Sequence, residues 1–147
     1  MPAVRWLAPV LVAAGLTLAA CGSSSNTSTD ADRAAKVDIT SAYEEFFSSQ
    51  TSLSDRVGLL QNGPKFKAVV KSFASNPLAK NVSATVSSVT LQGADKAKVV
   101  YVVKLGSAAL PKQTGSAVKQ NGTWKVGDAS LCKLIALQGS TPSACKS

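Results

Sequence analysis

Cysteine is the side chain of this sequence with the most chemistry in reach, and its three copies fall into two settings. Cys21 follows an apolar run that closes on Leu18-Ala19-Ala20, where its thiol is a nucleophile open to covalent modification. Cys132 and Cys145 lie near the C-terminus, an even pair that suits a disulfide in an oxidising compartment. A loop of about thirteen residues closed in this way contributes roughly 3 kcal/mol on the chain-entropy account. Metal binding is the competing use of the pair, and the chain has no histidine with which to complete a tetrahedral set. No cofactor or metal is expected.

Acid–base chemistry is poorly served. With histidine absent, the eight carboxylates are the remaining candidates, and they are scattered, with Glu44-Glu45 reading as the solvated side of a helix. Tyr101 and Asp128 could share the interior of a curved sheet. A core tyrosine and a strand-end turn former explain the same two residues more simply. No glycine-rich phosphate loop or nucleophile elbow occurs, so no enzymatic activity is expected.

The N-terminus supplies the setting for Cys21. Residues 1–20 carry one positive charge, Arg5, then an apolar run over 7–18 that is short for a bilayer span, then small residues, as an export signal does. The tetrad L-A-A-C followed by Gly22 resembles a bacterial lipobox, which implies a thioether-linked diacylglyceryl group on Cys21 as the first mature residue. Two acyl chains anchor stably where one does not. An ordinary secretory signal followed by a chance cysteine is the alternative. Localisation on the extracytoplasmic side of the cell membrane, held by a lipid anchor, is the expectation. Residues 21–36, G-S-S-S-N-T-S-T-D-A-D-R-A-A-K after the cysteine, hold nothing aliphatic beyond alanine and read as a flexible tether. Residues 37–147 then form a single domain.

Within that domain the period is first near 3.6. Asp38 is a candidate cap for a helix whose apolar stripe is Ile39, Tyr43, Phe46 and Phe47. Ser52 with Asp55 opens a second helix carrying Leu53, Val57 and Leu60, closed at Asn62-Gly63 with Gly63 in the left-handed position. Pro64 opens a third, with Phe66, Val69, Val70 and Phe73 inward, ended by Asn76-Pro77. The period then becomes 2. Val82, Ala84 and Val86 alternate on one parity and Val89 and Leu91 on the other, which predicts a bulge near Ser87-Ser88. The next strand turns Ala97, Val99, Tyr101, Val103 and Leu105 inward, and Lys96, Lys98, Val100, Val102 and Lys104 outward, a half-apolar face open to cover by the tail or a partner. A loop with Pro111 leads to a hairpin, 114–120 and 123–127, joined by a type I′ turn at Asn121-Gly122. That register sets Lys119 opposite Trp124, Ala117 opposite Val126 and Gly115 opposite Asp128, so the small residues leave room for the indole. Ser130 caps a last helix with Leu131, Leu134 and Ile135 inward, to which Cys145 returns.

This order predicts an α+β fold: N-terminal helices packed on a curved antiparallel sheet of about four strands, plus a short C-terminal helix. By element order it resembles the cone of nuclear transport factor 2 and the small polyketide cyclases, an analogy of architecture alone. A closer resemblance lies in I-T-S-A-Y-E-E-F-F at 39–47, L-L-Q-N-G-P-K-F at 59–66, N-P-L-A-K at 76–80 and G-T-W-K-V-G-D-A-S-L-C-K-L-I-A-L-Q-G at 122–139. These segments are similar to the mycobacterial low-molecular-weight secreted antigen family. The resemblance implies an actinobacterial cell-envelope protein known chiefly as an antigen, and transfers no catalytic residues. The lipobox and the C-terminal cysteine pair are departures from that family's pattern.

Charge suggests partners. The net charge is +8, or +7 once Arg5 leaves with the leader. Lys65, Lys67 and Lys71 gather near the outer side of the third helix, and Lys96, Lys98 and Lys104 on one strand face. Solubility beside a charged envelope explains them without a partner. Anionic lipids or envelope glycans are the specific alternative, and nucleic acid is excluded by export and by aromatics that read as core. The functional expectation is a non-catalytic envelope lipoprotein binding an apolar or amphipathic ligand. The alternative is a structural or interaction protein that uses its basic face and has no pocket. An open cavity of roughly 300 Å³ or more separates them, for the second reading fills that space with Phe46, Phe47, Phe66, Phe73 and Trp124.

Overall fold

Helix α1 runs over Ser24–Phe47 in the computed structural model, which describes residues 24–146. It starts well ahead of Asp38, so that residue lies inside the helix instead of capping it, and the stretch read as an irregular tether is helical from Ser24 onward. Local reasons are visible: Ala31, Ala34 and Ala35 are strong helix formers, Arg33 pairs with Asp30 one turn back at 3.5 Å, and the Thr40 hydroxyl donates to Lys36 O at 2.8 Å. Residues 30–34 stay exposed, and the apolar stripe is confined to the C-terminal half, where Ile39, Tyr43, Phe46 and Phe47 are buried.

Helix α2, Leu53–Gly58, opens as the sequence predicts. The Ser52 side chain accepts the Asp55 N–H and its hydroxyl donates to Asp55 Oδ2 at 2.7 Å. The end of this segment differs from expectation. Asn62, not Gly63, holds the left-handed conformation, at φ 53°. Gly63 is required for another reason, since a Cβ there would lie 1.8 Å from Val57 O. A 3-10 turn, Gly63–Phe66, then carries Pro64 into α3, Lys67–Ala74. Asn76 caps a second 3-10 turn, Pro77–Asn81, by accepting the Leu78 N–H.

The sheet is antiparallel, ordered β1 (Val82–Leu91), β2 (Lys96–Leu105), β4 (Gln113–Gln120) and β5 (Thr123–Val126), with a two-residue β3 (Ala108–Ala109) paired to β2 inside the loop before Pro111. The register slips between Val86 and Ser88, the expected bulge, and the sheet curls around α1. Ala97, Val99, Tyr101 and Val103 face inward and are buried, while Leu105 is half-buried at the strand end. The hairpin holds its expected register, with Lys119 opposite Trp124 and Ala117 opposite Val126. Asn121 and Gly122 are both at positive φ, 52° and 78°. Pairing stops at Val126, however, so Gly115 lies opposite Val99 on β2 and Asp128 begins α4, Asp128–Ala136.

One core joins Ile39, Tyr43, Phe46 and Phe47 of α1 to Leu60, Phe66, Val70, the inner sheet face and Leu131. The free side of β5 is closed by the α2–α3 connection, through Gln61 N to Val126 O and Val126 N to Leu59 O, both 2.8 Å. The Cys132–Cys145 disulfide forms and ties the tail turn, Ser143–Cys145, to α4. The architecture is α+β, helices followed by a curled antiparallel half-barrel and a short terminal helix.

Candidate functional site

Two places on this scaffold concentrate unusual side chains, one sealed and one open. The sealed place is the free stretch of β4 beyond the end of β5. Ser130 does not cap α4, whose N-cap is Gly127. It lies in the first turn, buried, with its Oγ accepting the Ser116 N–H at 2.8 Å. Tyr43 reaches across from α1 and donates its hydroxyl to Ser116 O at 2.6 Å, with Ser130 Oγ 3.2 Å away. On this side of β4 the Ser116 N–H is satisfied by a side chain, and its carbonyl accepts both the Tyr43 hydroxyl and the Gly127 N–H, the latter at 2.8 Å. Gly115 makes this possible, for a Cβ there would fall 2.6 Å from the Tyr43 oxygen and 2.7 Å from Ser130 Oγ. The small residue that was expected to make room for Trp124 makes room for a tyrosine hydroxyl instead.

Burial raises the Tyr43 phenol well above its ordinary range, opposed by its hydrogen bond to Ser130, and pushes Tyr101 up to about 12. The two rings pack 4.9 Å apart, and Phe47 lies 5.7 Å from Tyr101. Tyr101 is therefore core. Asp128 accepts from Asn62 Nδ2 at 2.9 Å and its N–H donates to Gln61 Oε1, so it clasps the α2–α3 connection. Neither residue is set up as a general base.

Arg56 is also buried, at 3 % exposure, with its guanidinium over the Phe73 ring. It donates to Ser48 O and Thr51 O just beyond the end of α1, where carbonyls lack helical partners and a cation is favoured. Desolvation lowers its pKa.

The open place is a cavity of about 600 Å³ at the end of the half-barrel where β1 starts and β2 ends. Phe47, Val82 and Val103 form part of its wall, Phe73 and Leu134 its flanks, and Leu78, Leu110 and Leu137 stand at its rim. Three of the four large apolar side chains that are exposed among the described residues are these rim leucines, Leu137 at 65 % and Leu78 at 64 %. Exposed leucines carry no meaning singly, but clustered around an apolar opening they mark a contact site.

Of the six aromatics expected at a pocket or core, Phe46, Phe66, Tyr101 and Trp124 are buried in the core, Phe47 is buried and walls the cavity, and Phe73 is half-buried beside it. The aromatics do not fill the space. Lys65, Lys67 and Lys71 are exposed on the α3 side, and Lys96, Lys98 and Lys104 are exposed on the outer sheet face around half-buried Val100 and Val102. These are two separate patches. Cys21 lies outside the described residues. The rim leucines went unnoticed in the sequence because they lie in a 3-10 turn, a loop and a helix end that share no period. For Leu78 and Leu110 the one signal was the repeated grouping of leucine, proline and lysine in N-P-L-A-K and A-L-P-K.

The fold and its open end define a small α+β domain with an apolar mouth. No set of three or more His, Cys, Asp or Glu side chains is placed to hold a metal among the described residues. The chain belongs to the family described as low molecular weight antigen MTB12, C-terminal domain, whose profile matches residues 32–142. That match covers α1 from its exposed turns through α4. No curated protein matches the chain. Membership of an antigen family agrees with export. Among the described residues no helix is long and apolar enough to cross a membrane.

Proposed function

We propose that this protein is an exported, lipid-anchored and non-catalytic envelope domain that binds an apolar or amphipathic ligand in the cavity rimmed by Leu78, Leu110 and Leu137. The observation that carries the reading is the cavity itself, about 600 Å³ within walls of Phe47, Val82, Val103 and Leu134. That volume lies within the range of roughly 300–1,000 Å³ in which small ligands are buried. The no-pocket alternative required the aromatics to close this space. Anchoring at Cys21 rests on the sequence around it, L-A-A-C-G after an apolar run.

Ala79 provides the test, since it lines the cavity and is buried at 6 % exposure. A solvatochromic dye that brightens in a dry site should bind the soluble chain once per molecule, and Ala79→Phe, which fills the cavity, should weaken binding at least tenfold while circular dichroism stays that of the parent. Dye binding that is absent from the parent, or indifferent to Ala79→Phe, removes the pocket from the function.

A further inference from the structure

The rim of the cavity is formed by segments that carry basic residues beside the apolar ones. Three segments supply it: residues 76–82, 103–113 and 134–138, and together they contain lysines but no aspartate or glutamate. Lys80 directly follows Ala79, and Lys112 sits between Pro111 and Gln113; these three neighbours line the cavity, while the two lysines lie just outside its lining. Both lysines are exposed, and neither is in a salt bridge among the described residues. Backbone bonding holds the two rim segments to the same end of the sheet, through Gly106 N to Asn81 O and Leu110 N to Val103 O, each 2.8 Å. The walls between them are hydrocarbon, with Gln113, Gln138 and Asn76 the polar side chains at the edge.

An apolar interior whose flanking segments carry lysines and no acid is complementary to an anionic amphiphile. We infer that the cavity takes the hydrocarbon chain of an anionic amphiphile, with the charged headgroup held outside by Lys80 and Lys112. This rests on the cavity being a binding site, as proposed above, and adds the class of ligand. The chain supplies affinity through burial, so each added methylene should tighten binding about three- to fourfold until the cavity is full. The headgroup supplies selectivity: two lysines near a surface should favour an anion over a neutral group of the same chain length by about ten- to thirtyfold at low salt, falling as salt is added.

Dodecanoate and dodecanol separate the two contributions. Calorimetric titration of the chain from residue 21 onward, carrying Cys21→Ser so that no acyl anchor competes, should show dodecanoate the tighter ligand. The advantage should shrink to a few-fold or less in Lys80→Gln/Lys112→Gln, with dodecanol affinity unchanged, and inorganic phosphate at the same concentration should not displace the carboxylate. Equal affinities for acid and alcohol, unmoved by the lysine changes, would overturn the anionic class and leave an apolar pocket standing. A flat series from octanoate to dodecanoate, or displacement by phosphate alone, would overturn the chain-in-cavity arrangement. Failure of both ligands to bind would remove this inference and the pocket reading together.

Discussion

Gly115→Ala adds one methyl group to the inner face of β4, and the structure gives its cost in parts. The backbone there is not in the left-handed region, so alanine meets no intrinsic strain. The new Cβ meets the Tyr43 oxygen at 2.6 Å, Ser130 Oγ at 2.7 Å and a Tyr101 ring carbon at 3.0 Å. All three neighbours are buried and cannot swing into solvent. Overpacking of this kind costs about 1–3 kcal/mol. Displacing the Tyr43 hydroxyl from Ser116 O adds about 1 kcal/mol for a buried bond lost. A total of about 2–4 kcal/mol should lower the midpoint of thermal unfolding by roughly 10 °C or more for a domain of this size. Tyr43→Phe alone should cost about 1 kcal/mol, because the same carbonyl keeps the Gly127 N–H at 2.8 Å, with Ser130 Oγ 3.4 Å away. It also removes the atom the new methyl group meets first. The double variant should therefore be less damaging than the two single changes added, by about 1 kcal/mol, in a double-mutant cycle read by urea unfolding. Additive effects, or a Gly115→Ala protein that melts with the parent, would refute the account of β4 closed by Tyr43 and Ser130.

The two tyrosines also set an alkaline limit. Their folded pKa values are raised by burial, so the stabilisation is full below the unfolded value of about 10 and is lost as pH rises towards the folded values, by up to about 2.7 kcal/mol per pH unit while both stay protonated. Tyrosinate absorbance should appear together with loss of near-ultraviolet circular dichroism, and ionisation of a still-folded chain near pH 10 would contradict the burial. Reduction of Cys132–Cys145 should cost about 3 kcal/mol, seen as a lower urea midpoint, and the unreduced protein should have no alkylatable thiol at either position. Gly122→Val should cost about 1–3 kcal/mol through strain at positive φ alone, as nothing lies within 4 Å of a Cβ there, and a parent-like melt would dispose of the type I′ turn. Cys21→Ala should abolish acylation by mass spectrometry and shift the protein out of the membrane fraction. Unchanged partitioning would count against the anchor.

Much of the architecture was legible because it is written at short range. The change of period from 3.6 to 2 near Val82, the parity slip at Ser87-Ser88 and the Asn121-Gly122 turn each depend on neighbours within a few positions, and each appears where the pattern predicts it. The cysteine pair needed only a count and a compartment, and the family showed through segments spread over most of the domain.

Other features required the packed chain. Gly63 and Gly115 look like a helix stop and a space for Trp124, but what each makes room for, Val57 O and the Tyr43 hydroxyl, is decided by how elements approach. Ser130 resembles a cap in the sequence because capping is local, and becomes the partner of a strand edge only when α4 folds back beside β4. The mouth is the extreme case. Its leucines come from a 3-10 turn, a loop and a helix end that share no period, and curling of the sheet brings them together. Periodicity reports which face of an element is buried, so the chain by itself determined the elements and their inward faces. An opening between elements belongs to none of them, and only the tertiary structure decided that one end of the half-barrel would stay unfilled.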